Sequence, residues 1–103
     1  MNNNKYIKEA ELFKILADPN RLKIIDMLSC GEMCACKILE KFNITQPTLS
    51  HHMKVLIESG LVESRKEANW VHYKLKKRNF AQLSEFLEAI TKVKEANICK
   101  NKN

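Results

Sequence analysis

The segment Asn43–Gly60, NITQPTLSHHMKVLIESG, contains the strongest structural pattern in this chain. Thr45 suits the N-cap of a helix, Pro47 suits its first turn, and Gly60 suits its C-terminal end. The apolar residues between them are spaced to form one buried helical face. They are Leu49, Met53, Leu56 and Ile57. The tight turn FNIT joins this helix to a shorter one before it, so the two predict a helix-turn-helix unit.

The flanking segments extend this unit in both directions. Before it, Asp18 as N-cap and Pro19 in the first helical position predict the start of another helix, which Gly31 ends. After it, the runs LVESRK and WVHYKL, separated by EAN, predict a β-hairpin. The predicted helices span residues 6–17, 19–30, 33–41, 46–59 and 79–97. The sequence therefore predicts a mainly α fold with a small β-hairpin wing, a winged helix-turn-helix.

A single domain is expected to contain the whole chain, because its 103 residues support one modest core. We expect frayed ends at about residues 1–5 and 98–103, which are polar. The last helix carries an apolar stripe that a core of this size hardly covers, which favours a homodimer in addition to packing within the monomer. The predicted interface residues are Phe13, Phe86, Leu87 and Ile90.

The charge of the chain favours an anionic partner. There are 18 basic and 12 acidic residues, a net charge of +6, and the segment Arg65–Arg78 alone carries six basic residues against one acid. Such an excess suits nucleic acid or a membrane surface. No stretch approaches the ~20 apolar residues of a membrane span, and the start MNNNKYIKEA lacks the apolar core of a signal peptide. We therefore expect a cytoplasmic protein that binds double-stranded DNA and no membrane.

The helix over 46–59 and the hairpin supply a candidate DNA surface. No acidic residue occurs from Asn43 to Ile57, so no carboxylate repels phosphate there. Polar side chains on the exposed helix face can reach base edges or phosphates. Basic side chains on the hairpin can contact the flanking backbone, which predicts salt-sensitive binding. An ordinary solvated surface is the alternative. The candidate residues are Gln46, Thr48, Ser50, His51 and Lys54 on the helix, and Arg65, Lys66 and Lys74 on the hairpin.

Three of the four cysteines lie in the segment SCGEMCACK, at positions Cys30, Cys34 and Cys36. In a reducing compartment this crowding favours metal binding or redox chemistry over a disulfide framework. Buried packing of single cysteines is the alternative. Thiolates select soft ions, and three sulfurs without a histidine suit trivalent arsenic or antimony. An enzyme is not expected, because the cysteines lack a neighbouring His or Asp arrangement for nucleophilic catalysis.

The predicted third helix, residues 33–41, would hold the two central thiols. Residues i and i+2 of an ideal helix point about 200° apart, so Cys34 and Cys36 could share an ion only if the start of the helix were distorted. We expect this distortion to reach the neighbouring DNA-contacting helix. The histidines lie on that helix and on the wing, so none is expected beside the thiols.

The runs LADPNRLKIIDML, ITQPTLSHHMKVLIESGLVESRK and WVHYKL resemble the ArsR-type family of metal-responsive winged-helix repressors across residues 10–75. The resemblance implies a homodimer joined through its first and last helices, an inverted-repeat operator, and release of that operator when a metal or metalloid binds. It also implies that QPTLSHH belongs to the recognition helix. EMCACK is similar to ELCVCD of the arsenic-sensing members, which implies that Cys34 and Cys36 are the two central thiol ligands.

The resemblance leaves the third ligand open. The arsenic pattern has another cysteine where this chain has Leu39, so we expect Cys30 to replace it, with Cys99 as the less favoured candidate. Zinc-sensing relatives use Asp and His on the last helix, which residues 79–97 lack. Cadmium- or lead-sensing relatives add N-terminal cysteines, which the first 29 residues lack. We therefore expect no permanent cofactor and an As(III) or Sb(III) inducer, with Cd(II) or Pb(II), or a thiol redox switch, as alternatives.

Overall fold

The computed structural model describes residues 4–92 of the chain. Within this range, five helices and three strands follow one another in the order of a winged helix-turn-helix. They are α1 (Asn4–Leu16), α2 (Pro19–Leu28), β1 (Met33–Cys34), α3 (Ala35–Glu40), α4 (Gln46–Glu58), β2 (Val62–Glu67), β3 (Trp70–Leu75) and α5 (Lys77–Thr91). The strands form one antiparallel sheet in the order β1-β3-β2. No helix in the described range is long and apolar enough to cross a membrane.

The predicted fold class, a mainly helical winged helix-turn-helix with a β-hairpin, is confirmed. The boundaries differ at both ends of the chain. Helix α1 begins at Asn4, so residues 4 and 5, assigned to the frayed N-terminus, are helical. Helix α5 begins at Lys77, two residues earlier than predicted. The predicted continuation of this helix over 93–97 and the predicted frayed residues 1–3 and 98–103 lie outside the described residues.

Helix α2 begins where the sequence predicts. The Asp18 side chain accepts hydrogen bonds from the backbone N–H groups of Asn20, at 2.9 Å, and Arg21, at 3.1 Å, while Pro19 occupies the first turn. The bond from Arg21 lowers the pKa of the Asp18 carboxyl, because the ionised carboxylate is the better acceptor. The predicted N-cap is therefore confirmed.

Helix α4 also has the predicted ends. The Thr45 Oγ1 atom accepts a hydrogen bond from the backbone N–H of Thr48 at 3.3 Å. At the other end Gly60 has a φ of +86°, and the Leu61 N–H group reaches back to the Leu56 carbonyl at 3.2 Å. This is the Schellman arrangement, in which a left-handed residue ends the helix and favours glycine.

The third predicted helix is wrong at its start. Met33 and Cys34 form a short strand, β1, and helix α3 begins only at Ala35. In the sheet Met33 pairs with Tyr73, and Cys34 pairs with His72. The segment that carries the central thiols therefore belongs to the same sheet as the wing.

A single apolar cluster joins the helices to the base of the sheet. Its side chains are almost fully buried, and α3 and α4 both contribute to it, through Ile38 and Leu49. Helix α4 and the helix that follows the thiol segment are thus joined through one core. The buried members of this core are Ile24, Leu28, Ile38, Leu49, Met53, Leu56 and Val62.

Candidate thiol site and nucleic-acid interface

The sulfur atoms of Cys34 and Cys36 lie 2.8 Å apart. Cys34 is the residue that precedes α3, and its φ of −71° and ψ of 144° are those of an extended strand. Because Cys34 lies outside the helix, its side chain points to the same place as that of Cys36, the second helical residue. The expected divergence of about 200° is therefore wrong, and the two thiols meet without any unwinding of α3.

The contact between the two thiols moves their pKa values in opposite directions. The side-chain hydrogen bond from Cys36 lowers the pKa of Cys34, and backbone N–H groups at the start of α3 add to this effect. The same contact raises the pKa of Cys36, because that thiol is the donor to the Cys34 sulfur. Cys34 therefore becomes a thiolate first, and the thiolate is the form that acts as nucleophile and metal ligand.

The structure brings together two of the predicted ligands and not the third. No three His, Cys, Asp or Glu side chains form a group able to hold a metal ion within residues 4–92. Cys30 is exposed on the turn after α2, next to Gly31, which has a φ of +135°. Cys99 lies outside the described residues.

His72 is a neighbour of the thiols that the sequence analysis missed. It pairs with Cys34 across the sheet, and directly opposed residues have their Cβ atoms about 4.5–5.5 Å apart on the same face. The expectation that no histidine lies beside the thiols is therefore wrong for Cys34, although Cys34, Cys36 and His72 do not form a group able to hold a metal ion. The sequence did not indicate this neighbour, because residues 33–41 were predicted to form one helix. The pairing of β1 with β3 is a tertiary contact that local sequence patterns do not show.

Arg65, a predicted phosphate contact, is part of an ion-pair cluster. Its Nε and Nη2 atoms donate to the two carboxylate oxygens of Glu32 at 2.9 and 2.7 Å, and its Nη1 atom donates to Glu67 at 2.7 Å. These bonds lower the pKa of both carboxyls and raise that of the guanidinium. Two carboxylates thus neutralise the charge of Arg65. These ion pairs link the segment before β1 to the wing, and the predicted phosphate contact of Arg65 stays a prediction.

The other hairpin cations are more accessible. Lys66 is exposed and makes no ion pair with any residue in the described range. Lys74 is also exposed, and its Nζ atom lies 3.9 Å from a carboxylate oxygen of Glu63, the residue opposite it in the sheet. An ion pair this long at a solvated surface contributes little to stability.

The predicted DNA-contacting side chains of α4 are all exposed. The opposite face is buried through Leu49, Met53 and Leu56. His52 is buried as well, and its Nδ1 atom lies 3.1 Å from Nη1 of Arg21, so this histidine ties α4 to α2. The exposed residues on the helix are Gln46, Thr48, Ser50, His51 and Lys54.

The predicted dimer residues divide into two groups. Phe13 of α1 and Phe86 of α5 are half-buried and pack on each other, with ring centroids 6.2 Å apart. Leu87 and Ile90 remain 46% and 60% exposed on α5. The exposed pair leaves an apolar surface on α5 that the rest of the described chain does not cover.

A helix-turn-helix whose second helix presents an acid-free polar face, followed by a β-hairpin, defines a winged-helix DNA-binding regulator. Residues 18–64 match the family described as "Bacterial regulatory protein, arsR family". The chain is 44% identical over 96 residues to the "Arsenical resistance operon repressor" of Staphylococcus xylosus, covering 93% of this chain and 92% of that protein. The chain belongs to the ArsR family, whose members are transcriptional regulators and not enzymes.

The chain is also similar to two further proteins. It is 38% identical over 77 residues to the "Cadmium resistance transcriptional regulatory protein CadC homolog" of Staphylococcus aureus, covering 74% of this chain and 64% of that protein. Among solved structures, "HlyU from Vibrio cholerae N16961" matches with a TM-score of 0.72 and 31% identity, covering 86% of this chain and 97% of that chain.

Proposed function

We propose that this protein is a cytoplasmic, homodimeric repressor that binds an inverted-repeat operator and releases it when trivalent arsenic or antimony bonds to Cys34 and Cys36. The observation that carries the proposal is the 2.8 Å separation of the two sulfurs. Thiolates favour thiophilic ions, and the lowered pKa of Cys34 supplies a thiolate. The arsenical resistance repressor of Staphylococcus xylosus, with 44% identity, supports the same inducer.

The recognition helix α4 is proposed to enter the major groove. Its exposed Gln46 and Ser50 lie one turn apart at the start of the helix, where side chains can reach base edges. Lys66 and Lys74 are proposed to contact the phosphate backbone on either side of the hairpin. The remaining proposed contacts of the helix are Thr48, His51 and Lys54.

The coupling between the thiols and DNA follows from two connections. Strand β1 is hydrogen-bonded to β3 of the wing, and α3 shares the core with α4. Because Cys34 and Cys36 are already in contact, we expect ion binding to move the third donor rather than these two residues. We propose that Cys30 is drawn toward the pair, which shifts the end of α2 against the sheet. An ion that prefers the shifted state lowers the DNA affinity, and DNA lowers the affinity for the ion by the same factor.

Two alternatives retain the same fold. The similarity to a cadmium resistance regulator favours Cd(II) or Pb(II) as a second candidate inducer. His72, opposite Cys34, would add a nitrogen ligand that suits borderline ions better than arsenic. The lowered pKa of Cys34 also suits oxidation, and peroxide titration of operator release tests that route. We propose no permanent cofactor for any of these cases.

The test is operator binding by the reduced protein with and without arsenite, followed by fluorescence anisotropy. We expect Cys34→Ser and Cys36→Ser to bind the operator as the unmodified chain does and to lose release by arsenite. Cys99→Ser is the matched control and should keep release. Equal operator affinity with and without arsenite, in protein with reduced thiols, would contradict the proposal.

X-ray absorption at the arsenic edge identifies the third ligand. Three sulfur neighbours that fall to two in Cys30→Ser would assign Cys30. A first shell of two sulfurs and one nitrogen would assign His72 instead.

A further inference from the structure

A buried histidine on α4 takes no part in the thiol site or in the proposed DNA contacts. His52 is only 7% exposed, although its neighbour His51 lies on the surface. Its Nδ1 atom lies 3.1 Å from Nη1 of Arg21 on α2. Buried polar side chains are almost always hydrogen-bonded, because a buried group without a partner has lost its bonds to water. The contact with Arg21 therefore compensates for the burial of this ring.

The partner of His52 determines the protonation state in which the bond exists. A guanidinium has only N–H donors and stays charged, so Nδ1 of His52 must accept the bond and carry no proton. The ring is therefore neutral, with its proton on Nε2. A proton added to Nδ1 removes the acceptor and places two positive charges side by side. Imidazole is the side chain that takes up such a proton between about pH 5 and 8.

Arg21 connects this histidine to the ends of two other helices. Its Nε atom donates to the carbonyl of Ile15 at 2.6 Å, in the last turn of α1, where carbonyl groups have no partner within the helix. Its backbone N–H donates to Asp18, the N-cap of α2, at 3.1 Å. One arginine thus joins α1, α2 and α4, and its contact with α4 is the bond to His52.

The charged and titratable groups next to His52 are Arg21 and Asp18 at the start of α2, and His51 on α4. The Asp18 carboxyl has a lowered pKa, first because the Arg21 N–H bonds to it, and also because the charges of Arg21 and His52 favour its ionised form. Asp18 therefore offsets part of the repulsion between Arg21 and a protonated His52. It does not restore the hydrogen bond, because a protonated Nδ1 has no lone pair left. The ring of His51 is 5.9 Å away but exposed, so water screens its charge.

We propose that the bond between His52 and Arg21 positions α4 for DNA binding, and that operator affinity falls at mildly acidic pH when this bond is lost. The inference rests on the assignment of DNA contact to α4 in the proposed function, and not on the thiols. The apolar core also holds α4, but apolar contacts are not directional. The hydrogen bond fixes one turn of α4 relative to α1 and α2. Thr48 and His51, both exposed, lie within one turn of His52, so a shift of this turn moves two proposed DNA contacts.

The protonation state of His52 can be observed without DNA. Long-range ¹H–¹⁵N correlation spectra of histidine rings distinguish Nδ1 from Nε2, and the signals missing in His52→Asn assign this ring. At about pH 8 we expect a neutral ring with its proton on Nε2. At about pH 5.5 we expect protonation, with shifts of the α2 and α4 backbone amides that His52→Asn does not show. A neutral ring with its proton on Nδ1 would overturn the proposed bond.

Two substitutions separate the acceptor from the rest of the ring. The side-chain oxygen of asparagine can accept a bond near the position of Nδ1 and does not titrate, whereas leucine offers no acceptor. At about pH 8, His52→Asn should bind the operator within about twofold of the unmodified chain. His52→Leu should bind at least about threefold more weakly, because Arg21 loses its bond to α4. Equal operator affinity of His52→Leu and the unmodified chain would overturn the positioning role.

Fluorescence anisotropy of operator binding at constant ionic strength tests the pH dependence. Between about pH 8 and pH 6, the affinity of the unmodified chain should fall at least about threefold more than that of His52→Asn. His51→Asn is the matched control. A proton on exposed His51 favours binding to phosphate, so this variant should lose more affinity on acidification than the unmodified chain does.

Two outcomes separate this inference from the proposed function. The same fall in affinity for His52→Asn and the unmodified chain would overturn the role of His52 alone, and would leave the repressor assignment in place. Failure of the unmodified chain to bind any inverted-repeat operator at about pH 8 would overturn the proposed function, and this inference with it.

Discussion

The two central thiols differ in pKa because one donates a hydrogen bond to the other. Removing the donor with Cys36→Ala should raise the pKa of Cys34, since its lowered pKa depends first on that bond. A raised pKa leaves less thiolate at neutral pH, so the alkylation of Cys34 by iodoacetamide should slow and its midpoint should move to higher pH. Mass spectrometry of the labelled peptides resolves the individual sites.

The reciprocal variant provides a check in the opposite direction. Cys34→Ala should lower the pKa of Cys36, whose raised pKa arises first from the Cys34 contact. Cys30→Ala should leave the midpoint of Cys34 in place. A Cys34 midpoint that is the same in Cys36→Ala and in the unmodified chain would show that the bond from Cys36 does not lower the pKa of Cys34.

Ala68 occupies a strained position in the two-residue loop of the wing. It lies between Glu67 and Trp70, which pair at the end of the hairpin, and has a φ of +56°. This conformation favours glycine because an L side chain crowds the backbone there. We expect Ala68→Gly to raise the free energy of unfolding by about 0.5–1 kcal/mol, after allowing for the entropy of glycine in the unfolded chain.

The control for Ala68→Gly is the same exchange in a helix. Ala81 is exposed within α5, and Ala81→Gly should lower the free energy of unfolding by about 1 kcal/mol. Urea denaturation measures both. Destabilisation by both variants would show that the loop carries no relievable strain.

At the scale of elements, local patterns were predictable from the sequence and tertiary pairings were not. Asp18, Thr45 and Gly60 end helices through contacts with residues a few positions away, so composition and spacing were sufficient. Strand β1 has two residues, which is too short for any periodicity to appear. Its formation depends on pairing with a strand nearly forty residues later in the chain.

The candidate site likewise combines local patterns that were predictable with tertiary contacts that were not. Cys34 and Cys36 could be identified as candidate ligands from their spacing and from the resemblance of EMCACK to arsenic-sensing proteins. Their contact could not, because it depends on Cys34 being extended rather than helical. The position of His72 and the pairing of Arg65 with Glu32 likewise follow from the register of the sheet, and the net charge of a segment does not show which of its cations are paired.

The two neighbouring cations of β2 should therefore behave differently in DNA binding. Lys66→Ala should reduce the slope of log affinity against log salt concentration by about one unit, because one phosphate contact is lost. Arg65→Ala should leave that slope unchanged, since its guanidinium is paired with Glu32 and Glu67. Anisotropy titrations over a range of salt concentrations measure the slopes. A loss of one unit in Arg65→Ala would return that residue to the phosphate interface.

At the scale of the whole molecule, the thiol pair lies between the wing and helix α4. Cys34 ends a strand that pairs with the wing, and Cys36 begins a helix that shares the core with the recognition helix. A ligand bonded to both residues would therefore be anchored to both elements that we propose contact DNA. Under the proposed function, this arrangement would let a small ion bias the relative position of α4 and the hairpin without filling any part of the core.

The apolar surface of α5 predicts how two chains associate. Leu87 and Ile90 are exposed there, and Tyr6 and Ile7 of α1 are 51% and 59% exposed. A carboxylate buried between two copies would be costly, so Ile90→Glu should yield a monomer in sedimentation equilibrium. A monomer should bind an inverted repeat no better than a single half-site, since two recognition helices must be held about one DNA turn apart for joint binding.

Ala81→Glu is the control for Ile90→Glu. Ala81 is exposed on α5 and, nine residues away, projects from the opposite side of the helix. It adds the same charge without touching the apolar surface, so this variant should remain dimeric and keep its preference for the inverted repeat. A dimeric Ile90→Glu would exclude this surface of α5 from the interface. A monomeric Ala81→Glu would show that added charge alone, rather than its position, prevents association.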